Sequence, residues 1–148
     1  MNRNIKLVVA YDGTNFHGFQ RQTNALSVQE VIEDGLAKIC SHKVVIFGAG
    51  RTDSGVHAYG QVVNFYTNAQ IPTEKIPYAL KGLLPPDIAI KKAEEVSPAF
   101  HARYGAKSKV YRYKIYNDRL PDPFMYNYAW HIPNIIDRHK MWQAAQVL

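Results

Sequence analysis

Ile5-Lys6-Leu7-Val8-Val9-Ala10-Tyr11 is an alternating segment in which the largest apolar side chains occupy every second position. A period of two places these side chains on the same face of an extended backbone, so the segment predicts a β-strand with one mainly buried face. Asp12-Gly13-Thr14-Asn15 then interrupts the alternation, and a polar loop rich in Asn and Gln continues to about Leu26. The chain is therefore expected to open with a strand and a long loop.

The next segment predicts a helix. Ser27-Val28-Gln29-Glu30 is a capping box, in which the Ser27 hydroxyl accepts from the backbone N–H of Glu30 and the Glu30 carboxylate reaches back. The apolar residues that follow recur at helical spacing and share one face: Val28, Ile32, Leu36 and Ile39.

The remaining elements of this region follow from apolar runs and turn residues. We expect a short buried strand at 44–47, a strand at 59–66, a helix from Thr73 or Pro77, and a strand that opens with Ile88 and Ile90. The second helix would place Ile76, Leu80, Leu83 and Leu84 on one side and end at Pro85-Pro86-Asp87. The order predicts an α+β, ferredoxin-like (split βαβ) fold, an antiparallel sheet with helices on one face.

A second, similar domain is expected to begin after this unit, which closes near residue 97. We assign 1–100 to an N-terminal domain and 101–148 to the start of the second. Residues 108–117 alternate like a strand, and a helix from about Ile135 reaches Leu148 without a Gly or Asn stop signal. The strand would place Lys109, Tyr111, Tyr113 and Ile115 on one face and Val110, Arg112, Lys114 and Tyr116 on the other. These patterns predict that the second domain has been cut short.

Positive charge is concentrated in one part of the chain. The net charge is +6, yet residues 1–74 carry six basic and six acidic side chains, whereas 101–119 carry six basic residues against Asp118 alone. Such a segment favours a polyanionic partner such as nucleic acid. Four tyrosines, at 104, 111, 113 and 116, interleave with these cations. The mixture is typical of surfaces that grip unpaired bases, and equally of an ordinary half-exposed strand.

Cysteine content and hydropathy restrict the class of protein. The single cysteine, Cys40, can close no intrachain disulfide and can build no structural zinc site. The N-terminal residues lack the apolar stretch of a signal peptide, and no apolar run approaches the roughly 18 residues of a membrane span. We therefore expect a cytoplasmic protein with no membrane association.

The glycine-rich loop at 48–60 is the densest polar cluster. It fits an ordinary turn, but loops held by a sheet also carry function. Asp53 stands where G-x-G-x-x-G requires glycine, and Thr52 stands where G-x-S-x-G requires it, which argues against a phosphate cradle and against a Ser54–His57–Asp53 hydrolase triad. The six histidines show no metal-binding spacing. The remaining candidate is the carboxylate of Asp53. Arg51, two residues earlier, would keep this carboxylate ionised and therefore suited to act as nucleophile or base.

Four segments together resemble one known family. The segment at 50–58, GRTDSGVHA, is similar to the catalytic signature of the tRNA pseudouridine synthase A family. Tyr11-Asp12-Gly13 through Gln22, the segment Ser27–Glu30, and Phe100-His101-Ala102-Arg103 leading to Tyr111-Arg112-Tyr113 agree with that family in order and spacing. The resemblance covers nearly the whole chain.

The resemblance implies a reaction and roles for particular residues. Asp53 would be the catalytic aspartate that attacks the ribose–uracil unit, so that the N1 glycosidic bond breaks, the uracil turns, and a C5–C1′ bond forms. Arg51 would hold the flipped nucleotide beside it, and Tyr111 would stack on the uracil. The target would be uridines 38 to 40 in the anticodon stem-loop of tRNA, with no cofactor and no metal. Contacts to RNA are expected from Arg21, Arg103, Lys107, Lys109 and Arg112.

The resemblance also implies that relatives continue beyond this point and form a homodimer. The 148-residue chain alone is then expected to be inactive or nearly so. A competing class is a non-catalytic RNA-binding module of ferredoxin-like fold, although residues 59–65 match the RRM signature only faintly. A small-molecule enzyme is disfavoured by the basic segment and by the lack of a cofactor motif.

Overall fold

The computed structural model describes residues 2–148, which divide into two compact units. The first unit ends at Ser108 and the second covers Lys109–Leu148. The elements of the first unit are β1 (Arg3–Tyr11), α1 (Val28–Cys40), β2 (Phe47–Gly48), β3 (Ala58–Thr67), a 3₁₀ turn (Thr73–Lys75), α2 (Ile76–Lys81) and β4 (Ile88–Val96).

The four strands of the first unit form one antiparallel sheet in the order β2-β3-β1-β4. β1 is central and pairs with β3 on one side, where Leu7 faces Val63, and with β4 on the other. The pairing with both neighbours shifts register near Val9, a bulge that bends the end of β1. The predicted α+β class with an antiparallel sheet is confirmed.

The core lies between one face of the sheet and the two helices. The alternation predicted for β1 is realised, since Ile5, Leu7 and Val9 are fully buried. Ser27 caps α1 by accepting from the Glu30 N–H at 3.2 Å, as the capping box predicts. Helix and strand side chains belong to a single hydrophobic cluster, whose helical members are Val28, Ile32, Leu36, Cys40, Ile76 and Leu80. Burial of this apolar area is the main stabilising term of the unit.

The short strand predicted at 44–47 is wrong in position. β2 contains only Phe47 and Gly48, although Val44 and Ile46 are buried as expected. The physical reason is that the Ile46 N–H donates to the Glu33 carboxylate at 3.0 Å and not to a neighbouring strand. The apolar run therefore predicted the burial of Val44 and Ile46, whereas Val45 and Phe47 are exposed and residues 44–46 pair with no strand.

The second predicted helix is shorter than expected. It begins with a 3₁₀ turn at Thr73 and ends at Lys81, followed by Gly82, four residues before Pro85. Leu84 packs against the core, but Leu83 is exposed, so its predicted place on the same side as Ile76, Leu80 and Leu84 is wrong. Once the helix ends, the helical spacing that placed Leu83 on the buried side no longer applies.

Two buried asparagines attach the segment after β4 to the sheet. Asn4 and Asn64 lie on the strand positions that alternate with the core, and the Asn64 Nδ2 donates to the Asn4 Oδ1 at 3.0 Å. Asn4 Nδ2 donates to the carbonyl oxygens of Ser97 and Phe100, both at 2.9 Å. Asn64 Oδ1 accepts from the Ala102 N–H at 2.8 Å. The two buried amides thus satisfy each other and bond to three backbone groups of residues 97–102, among them the buried Ala102 N–H.

The second unit contains β5 (Ile115–Asn117), β6 (Trp130–Ile132) and α3 (Arg138–Ala145). β5 and β6 pair in parallel, and every residue of the unit keeps part of its surface accessible. The predicted strand at 108–117 is wrong except for its last three residues, because β6 offers pairing partners only to Ile115–Asn117. The last helix begins later than predicted, since Asp137 caps it by accepting from the Lys140 N–H at 3.0 Å. Of the helices in residues 2–148, none is both long and apolar enough to cross a membrane.

Candidate active site

An open cleft of about 360 Å³ lies in the first unit where two loops meet. One loop follows β1 and contributes Gly18 and Arg21, and the other precedes β3 and contributes Arg51, Thr52 and Asp53. The structure therefore brings together three residues that the sequence singled out separately, namely Arg21, Arg51 and Asp53.

Main-chain hydrogen bonds join the two loops. The Phe19 N–H donates to the Thr52 carbonyl at 3.0 Å, and the Gly55 N–H donates to the Phe16 carbonyl at 3.2 Å. Gly18 makes this approach possible, because its φ is +84° and a Cβ there would lie 2.8 Å from the Thr52 oxygen. The two loops thus pack backbone against backbone on both sides of Asp53.

Asp53 lines the cleft. The residue is exposed, and its own carbonyl accepts from the Val56 N–H at 3.1 Å, which closes a turn. Arg51 is exposed and lines the same cleft. Among the residues that the structure describes, no ion pair joins Arg51 to Asp53. The carboxylate is therefore accessible to a ligand while the backbone that carries it is fixed.

Two residues of the site were not predicted from the sequence. Tyr11, at the end of β1, is only 4% exposed, and its hydroxyl lies 2.7 Å from the Thr52 Oγ1. Gln61 donates from Nε2 to the Gly50 carbonyl at 2.7 Å. Burial raises the pKa of Tyr11, and hydrogen bonds to Thr52 and Gln61 offset only part of that effect. The tyrosine hydroxyl is consequently protonated at neutral pH.

A hydrolase triad is not assembled. The Ser54 Oγ donates to the Phe16 carbonyl at 3.3 Å, and the His57 Nδ1 accepts from the Gly13 N–H at 3.1 Å. The His57 Nδ1 also lies 3.1 Å from the Asp12 Oδ1, and none of these contacts involves Asp53. Within the described residues, no group of three or more His, Cys, Asp or Glu side chains could hold a metal ion.

Arg21 is held by the acidic face of α1. Its Nε lies 2.9 Å from the Glu33 Oε2, and its terminal nitrogens lie 3.6 Å from Asp34 and 4.0 Å from Glu30. Glu33 is buried and also accepts from the Gln29 Nε2 at 2.8 Å. The positive charge of Arg21 is therefore largely balanced by carboxylates, which reduces its attraction for phosphate. Its predicted contact with RNA stays a prediction.

Glu33 should matter for stability because its carboxylate is the shared acceptor of this network. We expect Glu33→Ala to lower the free energy of unfolding by about 2–3 kcal/mol, since Arg21 loses its buried partner and the buried Ile46 N–H is left unsatisfied. Urea denaturation followed by circular dichroism measures the change. Asp34→Ala, which removes an exposed partner of the same arginine, is the matched control and should cost less than about 0.5 kcal/mol. Equal losses for both variants would contradict the role of Glu33.

The other predicted site residues are divided between the two units. Arg103 and Lys107 lie at the end of the first unit, whereas Lys109, Tyr111 and Arg112 lie in the second unit, in a stretch without regular secondary structure. All five are exposed. Their predicted contacts with RNA and with the target base stay predictions.

Comparison with known proteins agrees with these features. The model of a family described as tRNA pseudouridine synthase matches residues 7–105, which include both cleft loops. Proteins named tRNA pseudouridine synthase A are 50% identical over 146 residues in a Thermoanaerobacter species, strain X514, 49% identical over 143 residues in Acetivibrio thermocellus, and 43% identical over 146 residues in Bacillus licheniformis. These alignments cover 97–99% of this chain but 59–60% of the relatives. The chain thus spans about three-fifths of the length of the curated relatives it matches.

Proposed function

This chain belongs to the tRNA pseudouridine synthase family, and from that membership we propose that the protein isomerises uridine to pseudouridine in tRNA. The observation that carries the proposal is the placement of Asp53. Its exposed carboxylate stands in the cleft, within the residues that the family model matches, on a loop whose backbone is fixed from both sides. An accessible carboxylate on a rigid loop suits nucleophilic attack on a bound nucleotide.

In the proposed reaction Asp53 attacks the ribose–uracil unit and the C1′–N1 bond breaks. The uracil turns and its C5 bonds to C1′ while the bond to Asp53 breaks and frees the carboxylate. The C5 proton leaves and N1 gains a proton, so that product and substrate are isomers. Arg51, at the edge of the same cleft, would hold the extruded nucleotide, and Tyr111 would stack on its base. Extrusion of a base from a stem costs a few kcal/mol, which stacking and phosphate contacts can offset.

Several finer statements belong to the same proposal. The strand order β2-β3-β1-β4, with a helix on each of the connections β1–β2 and β3–β4, supports a ferredoxin-like classification. We assign the target to uridines 38 to 40 of the anticodon stem-loop, and the complete protein to a homodimer in the cytoplasm that uses no cofactor. The second unit leaves Tyr113, Trp130 and Trp142 exposed, which supports our expectation that the 148-residue chain alone has little activity.

Release of tritium tests the activity directly. The complete protein is incubated with tRNA that carries tritium at uracil C5, and label that appears in the solvent is counted. The expected result is release in proportion to pseudouridine formed, with little release by the 148-residue chain. A non-catalytic RNA-binding module would bind the same tRNA without releasing label, and that outcome would overturn the proposal.

The basic segment should supply affinity through phosphate contacts. We expect the double variant Lys107→Ala/Lys109→Ala to bind a tRNA anticodon hairpin more weakly. The negative slope of log K against log salt should become shallower by roughly 1–2, because binding releases about one counterion fewer for each phosphate contact that is lost. Filter binding at several salt concentrations measures the slope. Lys38→Ala/Lys81→Ala removes the same charge from the ends of α1 and α2 and is the matched control. Equal slopes for the two double variants would contradict a specific role of the segment.

A further inference from the structure

We propose that Tyr11 is a positioning residue for the Asp53 loop. Its hydroxyl holds the side chain of Thr52, the residue immediately before Asp53, and thereby fixes the carboxylate in the cleft. The inference rests on the proposed function, because it assigns Tyr11 a role through Asp53 and no contact with the nucleotide.

The position of Tyr11 makes it a rigid support. It is the last residue of the central strand β1 and pairs with Ala58 of β3 and with Ile88 of β4. Its ring is buried and lies 6.2 Å from that of Phe19, so the packing of the core determines where the hydroxyl points. Because the ring is fixed by the sheet and the core, the group that its hydroxyl contacts is held in a defined position as well.

The loop that carries Thr52 and Asp53 is held by several hydrogen bonds. The hydroxyls of Tyr11 and Thr52 are 2.7 Å apart, while the Thr52 carbonyl accepts from the Phe19 N–H at 3.0 Å. Gln61 holds the Gly50 carbonyl from β3 at 2.7 Å. Thr52 is therefore fixed at both its side chain and its backbone, and Gly50 is fixed two residues earlier.

Beyond Asp53 the loop is held by Phe16. The Ser54 Oγ and the Gly55 N–H both donate to the Phe16 carbonyl, at 3.3 and 3.2 Å. Asp53 thus lies between two anchored neighbours, and of these anchors only the one at Thr52 comes from a side chain of the buried central strand. Loss of the Tyr11 hydroxyl should loosen the loop on the N-terminal side of the carboxylate.

The contact joins two neutral hydroxyls, either of which can donate to the other. Burial raises the pKa of Tyr11, which keeps the phenol in its neutral form. A neutral hydrogen bond of this length contributes to the preorganisation of a catalytic group without adding charge to the cleft.

Kinetics of the complete protein on tRNA test the proposal. We expect Tyr11→Phe and Thr52→Val each to lower kcat about five- to tenfold with KM changed less than about twofold, the loss that one hydrogen bond to a positioned catalytic group entails. If the two residues act through their shared bond, the double variant should lose no more than either single variant. Thr52→Ser, which restores a hydroxyl, should recover most of kcat. Tyr66→Phe removes the hydroxyl that donates to the Pro98 carbonyl at 3.1 Å and is the matched control, with kcat unchanged.

Hydrogen exchange supplies a readout that does not depend on turnover. In Tyr11→Phe the amides of Phe19, Gly55 and Val56 should exchange about fivefold faster or more, because they bond across or within the loosened loop. Unchanged kcat and unchanged exchange in Tyr11→Phe and Thr52→Val would overturn the inference. If Asp53→Ala kept its activity, the proposed function would fail by itself, and faster exchange would then still support the positioning of the loop. Should Tyr11→Phe not fold, the comparison of Thr52→Val with Thr52→Ser decides.

Discussion

Asp53→Ala is expected to lower pseudouridine formation by at least about a thousandfold, since removal of the proposed nucleophile leaves only binding and orientation. Affinity for tRNA should change less than about threefold, because many phosphate contacts contribute to binding and one carboxylate contributes to reaction. Tritium release from uracil C5 measures turnover, and filter binding measures affinity.

Two further variants make this result specific. Asp53→Asn keeps the size of the side chain and removes its charge, so it should be as inactive as Asp53→Ala if the carboxylate is the nucleophile. Ser54→Ala alters the next residue of the same cleft and removes only the 3.3 Å bond to the Phe16 carbonyl, so it should keep turnover within about threefold. Full activity in Asp53→Asn, or a loss in Ser54→Ala as large as that in Asp53→Ala, would show that another group performs the chemistry.

Gly13→Ala is expected to have the second largest effect, on stability and on turnover together. A Cβ at this position would lie 2.0 Å from the Val56 carbonyl oxygen and 2.6 Å from its carbon, both of them backbone atoms. Because the backbone must shift to admit the methyl group, we expect a loss of roughly 3 kcal/mol in the free energy of unfolding. The same shift displaces the loop that carries Asp53, and a displacement of about 1 Å can lower the rate about a hundredfold.

Urea denaturation and tritium release measure the two effects of Gly13→Ala. Gly60→Ala is the matched control. Gly60 lies within β3, and a Cβ at this position would meet only the Val8 Cγ1 at 3.7 Å, which is an ordinary van der Waals contact. That variant should stay within about 1 kcal/mol of the parent, because alanine is no worse than glycine in a strand. A Gly13→Ala protein with the stability and turnover of the parent would contradict the close packing of the two loops.

Local patterns predicted the elements whose partners lie nearby. β1 and α1 could be predicted because alternation and the capping box depend on residues two to four positions apart. The strand at 108–117 could not, because a strand exists only where another strand pairs with it, and β6 supplies three partners. The strand predicted at 44–47 was wrong for a related reason. The Glu33 side chain accepts the hydrogen bond from the Ile46 N–H that a neighbouring strand would otherwise have accepted.

The candidate site was predicted in part. Asp53 and Arg51 stood out because their loop is dense in polar residues and matches a family signature, and the structure places both in one cleft. Tyr11 belongs to a segment that matches the family, but the segment indicated no role for it, since a tyrosine at the end of an alternating strand is most simply interpreted as a core residue. Arg21 was predicted to contact RNA. The sequence did not show that three carboxylates of α1 lie within 4.0 Å of its guanidinium group.

The sequence by itself determined the class of fold, the family resemblance and which loop carries Asp53, the proposed nucleophile. All three depend on residue types at short, fixed spacings. The tertiary structure alone decided how that carboxylate is held, through Tyr11 and Thr52, which are 41 residues apart, and through Phe16 and Ser54, which are 38 apart. Contacts at such separations depend on how the sheet brings distant loops together, and short-range patterns carry no record of that geometry.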